Sequence, residues 1–166
     1  HRRWENEPAP KWVTIKDLDE DEIRSTLQNA VQLGRMKKPP HSDTQSILRG
    51  LGLINEGKLI NAAIALYGKN EKLFSTYPQL AIRLARFRGK DRLTGFMDNR
   101  DYWGHAFDLI RRGELFLLDH VPISGRVVPG IFVREDYPLY PPLATREAIA
   151  NAICHRDYTV QGGSVA

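Results

Sequence analysis

Helical and strand-like periodicities alternate along this chain without settling into a β–α–β repeat, and that irregularity restricts its fold more than any other feature. A doubly wound parallel sheet needs the repeat. Without it, the expected fold is α+β, an irregular mix of a helical N-terminal part, a small mixed sheet, a long central helix and a C-terminal helix. With 166 residues the chain is long enough for one ordinary domain with its own core.

Residues 1–16 are polar, contain proline and lack a period; Trp4 and Trp12 are expected to tether this arm to the body. Asp19 with Glu22 makes a capping-box-like start. Ile23, Leu27, Ala30 and Val31 follow at helical spacing, and Gly34 with the run Lys37–Pro40 ends the helix. Ser42 and Gln45 repeat the cap pattern ahead of Ile47, Leu48 and Leu51, with a stop near Gly52. NEGKL, at 55–59, reads as a hairpin or wing turn. LINAAIALYG, at 59–68, is short, apolar and closed by glycine, so a buried strand is expected.

QLAIRLARFR, at 79–88, reads as a second strand, and 93–97 as a third. Residues 102–118 read as the longest helix, with an apolar stripe of Trp103, Ala106, Phe107, Ile110 and Leu117. A further strand over 126–134 contains Pro129 and Gly130, which points to an edge or a bulge. YPLYPP, at 137–142, leads into a last helix over 143–155, its prolines suited to a first turn. The expected divisions are an extended arm at 1–16, a central α+β domain at 17–136 and the start of a further module at 137–166.

No apolar run approaches the length of a membrane span. With no charged-then-apolar stretch in view, secretion is not expected. The single cysteine, Cys154, excludes an internal disulfide and a cysteine-built zinc site, and it fits a reducing, cytoplasmic setting. The net charge of +4 permits contact with nucleic acid without requiring it. His41, His105 and His120 lack metal-like spacing and read as capping or packing residues. The chain opens on His1 and closes in a stretch, 162–166, that reads as the beginning of a strand; both ends are expected to belong to a longer protein.

The stretch REAIANAICHRDY, at 146–158, carries the clearest chemistry. Helical geometry puts Glu147, Asn151 and either Cys154 or His155 on one face. Ala144, Ala148 and Ala152 flank that face with little bulk. A carboxylate there can accept a proton from an attacking water. An amide oxygen suits Mg²⁺, a hard cation. The plainer reading is a helix end whose Glu147 pairs with Arg146 or Arg156.

E-x-x-x-N on a helix is similar to the first nucleotide-binding motif of the gyrase, MutL, histidine-kinase and heat-shock-chaperone ATPase superfamily. A longer series occurs in order: GLGLINEGKLINAAIALYG, LARFRG, GHAF and YPLYPPLATREAIANAICHRDY. Together these resemble the bacterial and archaeal family of ATP-dependent DNA helicase RecG-related proteins and transcriptional regulators. Such proteins join a Schlafen/AlbA-type DNA-binding domain to a C-terminal ATPase-like module. The resemblance implies that Glu147 is the general base and Asn151 the holder of Mg²⁺ on ATP in the full protein. It implies DNA as a partner through the N-terminal domain, with this chain the middle region plus the first ATPase helix. The superfamily's D-x-G-x-G adenine loop and glycine-rich lid are not in the sequence. Cys154 and His155 stand where gyrase-like enzymes carry an acid, and no G-x-x-x-x-G-K-[ST] phosphate loop occurs. The fragment alone is therefore expected not to be catalytic or to hold nucleotide tightly.

Two further surfaces compete with that reading. Arg83, Arg86, Arg88, Lys90 and Arg92 surround Phe87, and Arg86, Arg88 and Lys90 share one side of a continued strand. Such a stripe can follow a phosphate backbone; the alternative is a solvated edge that deters aggregation. The segment 19–59 loosely resembles a winged-helix DNA reader, with phosphate contacts from 49–58. A non-enzymatic dimerisation platform, pairing a strand that begins at Thr159, is the remaining alternative.

Overall fold

Asp19 turns its carboxylate onto the Glu22 amide at 3.0 Å and starts α1 (Glu20–Gln32) where the cap pattern places it. This computed structural model describes residues 3–87, 95–120, 123–127, 134–138 and 140–160. The chain divides into two compact units. One comprises His1–Leu80, Trp103–Phe107 and Asp157–Gly163; the other Ala81–Tyr102, Asp108–Arg156 and Ser164–Ala166. The architecture is α+β, with six α-helices and three two-stranded sheets among the described residues.

In the first unit α1 ends at Gly34, whose φ of 66° suits the left-handed residue that closes a helix. The next helix, α2 (Thr44–Gly50), is capped by Asp43 rather than Ser42. The Asp43 carboxylate accepts from the Ser46 amide at 3.0 Å and from the Ser46 hydroxyl at 2.7 Å, two bonds that a serine at position 42 cannot match. Strands β1 (Ile54–Asn55) and β2 (Lys58–Leu59) pair antiparallel, Ile54 facing Leu59. Their turn has φ of 49° at Glu56 and 76° at Gly57, the two positive values a tight hairpin requires.

The expected strand over 59–68 is a helix, α3 (Asn61–Tyr67). Alanine favours helix over strand. Ile60, Ala63, Ile64 and Tyr67, all buried, recur at helical spacing that a strand would split between two faces. Asn70 then caps α4 (Glu71–Thr76) by accepting from the Leu73 amide at 2.9 Å.

These helices enclose a core of Leu18, Ile23, Leu27, Ile47, Leu48 and Tyr67, with Phe107 packed against it. A second cluster holds Val13, Ile64, Leu73 and Leu80. Trp4 and Trp12 tie the N-terminal arm to that cluster. Trp4 stacks on Tyr158 at 5.3 Å and meets Tyr77 edge-on at 5.5 Å. The Ala9 amide donates to the Leu59 carbonyl at 2.7 Å, so the arm lies along the hairpin.

The second unit contains β3 (Ala81–Phe87) paired with β4 (Phe96–Trp103). It also holds most of α5 (Ala106–His120), and β5 (Ile123–Val127), β6 (Arg134–Pro138) and α6 (Pro142–Cys154). Tyr102 and Trp103, expected in the long helix, belong to β4. Gly104 interrupts the run, and glycine is a poor residue to carry a helix through. The buried stripe of α5 is accordingly Leu109, Gly113 and Phe116, while Ile110 and Leu117 are half-buried and Trp103 is 46% exposed.

The expected single strand over 126–134 is divided: Arg126 belongs to β5 and Arg134 to β6, which pair antiparallel with Val127 facing Arg134. Pro129 and Gly130 themselves lie outside the described residues, as do Leu93 and Thr94 of the strand expected over 93–97. No helix among the described residues is long and apolar enough to cross a membrane.

Candidate functional site

The Glu147–Asn151 pair sits on α6, which starts as the prolines dictate. Pro141 is the N-cap and Pro142 opens the first turn, where a missing N–H costs nothing. The Thr145 hydroxyl donates to the Pro142 carbonyl at 2.8 Å. Ile149 and Ile153 are the buried residues of this helix. Ile149 packs over Gly113 of α5, where a Cβ would come within 2.9 Å of Ile149 Cδ1. Arg146 approaches Glu114 of α5 at 4.0 Å.

Successive helical residues turn by about 100°, which sets Glu147 and Asn151 side by side and points both away from Ile149 and Ile153. Both are exposed, as are Ala144, Ala148, Ala152, Cys154 and His155. The acid and the amide thus share one small-residue face open to solvent. A concave surface of this unit lies elsewhere among the described residues. It is an apolar hollow of about 380 Å³ between α5 and α6, lined by Arg111, Leu115, Leu118, Tyr140, Pro142 and Thr145. Neither Glu147 nor Asn151 contributes to its lining.

On β3, Arg83 and Arg86 are exposed, while Arg88, Lys90 and Arg92 lie outside the described residues. Arg83 is committed to Asp101 of β4 through Nε at 2.7 Å and Nη2 at 3.1 Å. That forked pair holds the Asp101 carboxyl below its ordinary range and raises the guanidinium's. Arg100 pairs with Asp98 at 2.8 Å and Arg112 with Asp108 at 3.1 Å, so these cations of the unit already carry carboxylate partners.

A third cluster was invisible in sequence because its members are 86 residues apart. His105 is only 4% exposed, and its Nε2 lies 3.2 Å from Asp19 Oδ2. Asp19, Glu22 and His105 bring their ligand atoms within 4.8 Å of one another, a spacing that could hold a cation. Burial alone would push the Asp19 carboxyl up; the Glu22 amide and His105 outweigh it and hold the group below its usual range. Asp19 thereby caps α1 and supplies an acceptor for a buried imidazole.

No family model matches the chain. No curated protein matches it either. Among solved structures it is similar to the DIP2311 protein from Corynebacterium diphtheriae, with a TM-score of 0.63 and 21% identity. The likeness covers 95% of this chain and 29% of that one, so this chain spans less than a third of the length of the protein it matches. At that identity the likeness is one of fold.

Proposed function

We propose that this chain is the connecting part of a cytoplasmic, DNA-associated regulator related to the RecG-helicase-like family. It links a DNA-binding module to an ATP-binding one and is not itself catalytic. In the complete protein Glu147 is the general base and Asn151 a ligand of Mg²⁺ on ATP. The observation that carries this reading is the arrangement of α6. Its two isoleucines anchor the helix, while its acid and amide project together from a face of small residues. A carboxylate beside an amide oxygen on an open, rigid face has the chemistry to orient water at a magnesium-bound phosphate. The likeness in fold to 29% of a longer chain is in keeping with a part of a longer protein.

The test is a titration with Mg²⁺ and a fluorescent, non-hydrolysable ATP analogue on a longer chain that includes the adenine loop and lid. Saturable binding that Glu147→Ala and Asn151→Ala each abolish is expected. No binding, or binding indifferent to both changes, removes the nucleotide reading.

A second reading has its own observation. Leu115, Leu118 and Tyr140, which line one hollow, are 61%, 56% and 57% exposed, and clustered exposed apolar side chains mark interaction surfaces. On that reading the chain is a non-enzymatic dimerisation platform, and light scattering that finds a strict monomer ends it. Direct DNA binding by the basic strand is weaker, since Arg83 is already held by Asp101.

A further inference from the structure

We propose that an open cleft in the first unit binds a short acidic peptide segment whose aliphatic side chains sit between its carboxylates. The cleft has a volume of about 880 Å³ and lies between the N-terminal arm and the β1–β2 hairpin. Val13, Ile54 and Leu59 form its apolar floor, and Lys11, Lys16 and Lys58 stand exposed around it. No acidic residue lines it. Asp17, the acid next to Lys16, is not among the lining residues, and its carboxylate is already engaged: it accepts from the Thr14 amide at 2.8 Å and from the Asn70 side chain.

The wall made by the arm is held in place before any ligand arrives. Ala9 bonds to Leu59, Asn61 N–H donates to the Glu7 carbonyl at 2.9 Å, and Asn61 Nδ2 donates to the Trp4 carbonyl at 3.0 Å. A preformed wall spares the ordering cost of binding. The occupant follows from the chemistry of the lining. Three ammonium groups with no acid among them select negative charge. The aliphatic floor selects side chains of like kind. No aromatic ring lines the cleft, so it lacks the stacking platform that single-stranded nucleic acid uses. This surface involves neither α6 nor nucleotide, and it stands or falls apart from the function proposed above.

The experiment is a fluorescence-anisotropy titration of the full chain with a labelled peptide of roughly ten residues that alternates Glu with Leu and Ile. A Glu/Ser peptide of equal charge and a thymidine oligonucleotide of equal length are the comparators. The Glu/Leu/Ile peptide is expected to bind saturably, more weakly as salt rises, and ahead of both comparators. Lys16→Glu with Lys58→Glu is expected to weaken it by about tenfold or more with an unchanged circular-dichroism melt. Both lysines are exposed, so the fold survives their reversal. Equal binding of the Glu/Ser peptide reduces the site to charge alone and overturns the proposal. So does tighter binding of the oligonucleotide, or peptide binding that the double variant leaves unchanged or that never saturates.

Discussion

His120 at the end of α5 places Nε2 2.8 Å from Asp98 Oδ2 on β4, while its Nδ1 lies 2.7 Å from the Phe116 carbonyl oxygen. The imidazole also stacks on the Phe116 ring at 4.2 Å. One side chain therefore closes the last turn of the helix and ties it to the strand. Arg100 joins from β4 by pairing with the same carboxylate.

The Asp98 carboxyl is held below its ordinary 3.8, first by the hydrogen bond from Arg100 and further by His120. A depressed carboxyl contributes stability above its unfolded-state value and loses it as the pH falls through the folded one. Asp98→Asn is thus expected to melt at a lower temperature than the parent at neutral pH. The gap should narrow on acidification below 3.8. Thermal melts across a pH series measure it, and a gap that stays constant would contradict the ion-pair account.

Two replacements at Asp19 separate its two roles. Asp19→Ala removes both the cap of α1 and an acceptor facing His105, and it is expected to cost about 1–2 kcal/mol, chiefly the lost cap. Asp19→Asn keeps a good cap and loses the charge, so it is expected to cost about half as much. Denaturant titration of both variants checks the order.

Two glycines offer opposite outcomes for one added methyl. At Gly68 a Cβ would meet the Ile64 carbonyl oxygen at 2.7 Å and Leu73 Cδ1 at 3.1 Å, and the backbone oxygen cannot step aside. Gly68→Ala is expected to destabilise by about 1–3 kcal/mol. At Gly113 the tightest neighbour is the flexible end of Ile149, and alanine gains about 1 kcal/mol of helix propensity. Gly113→Ala is expected to fall within about 1 kcal/mol of the parent, while Gly113→Leu forces α6 outward and costs more. Equilibrium unfolding distinguishes all three.

The outward face of α6 should be silent in the same assay. Glu147→Ala and Asn151→Ala are each expected to shift stability by less than about 0.5 kcal/mol, since both side chains are exposed. Ile149→Ala, which empties a buried position, is expected to cost about 2–5 kcal/mol. Loss of stability from Glu147→Ala comparable to Ile149→Ala would show a structural role instead.

Where a local rule decides the backbone, the sequence was readable. Asp19 capped its helix, Gly34 ended it, and NEGK turned as a hairpin. LINAAIALYG looks like a strand because a run of apolar residues has no polar punctuation, although Ile60, Ala63, Ile64 and Tyr67 carry the helical period. Tyr102 and Trp103 belong to β4 although aromatic residues occur in either period; Gly104 marks the local boundary and pairing with β3 holds them in the strand. The co-facial placement of Glu147 and Asn151 follows from helix geometry. That a hollow lies beside Tyr140 and Thr145 depends on how α5 meets α6, which no single segment encodes. The approach of His105 to Asp19 is tertiary in the same way.

The division of labour on α6 has an evolutionary corollary. Its grip on α5 rests on Ile149 and on the bare backbone at Gly113, so drift at positions 147 and 151 meets no resistance from folding. Among descendants of a common ancestor, substitution rates at those two sites therefore record only the demands of whatever touches that side of the helix.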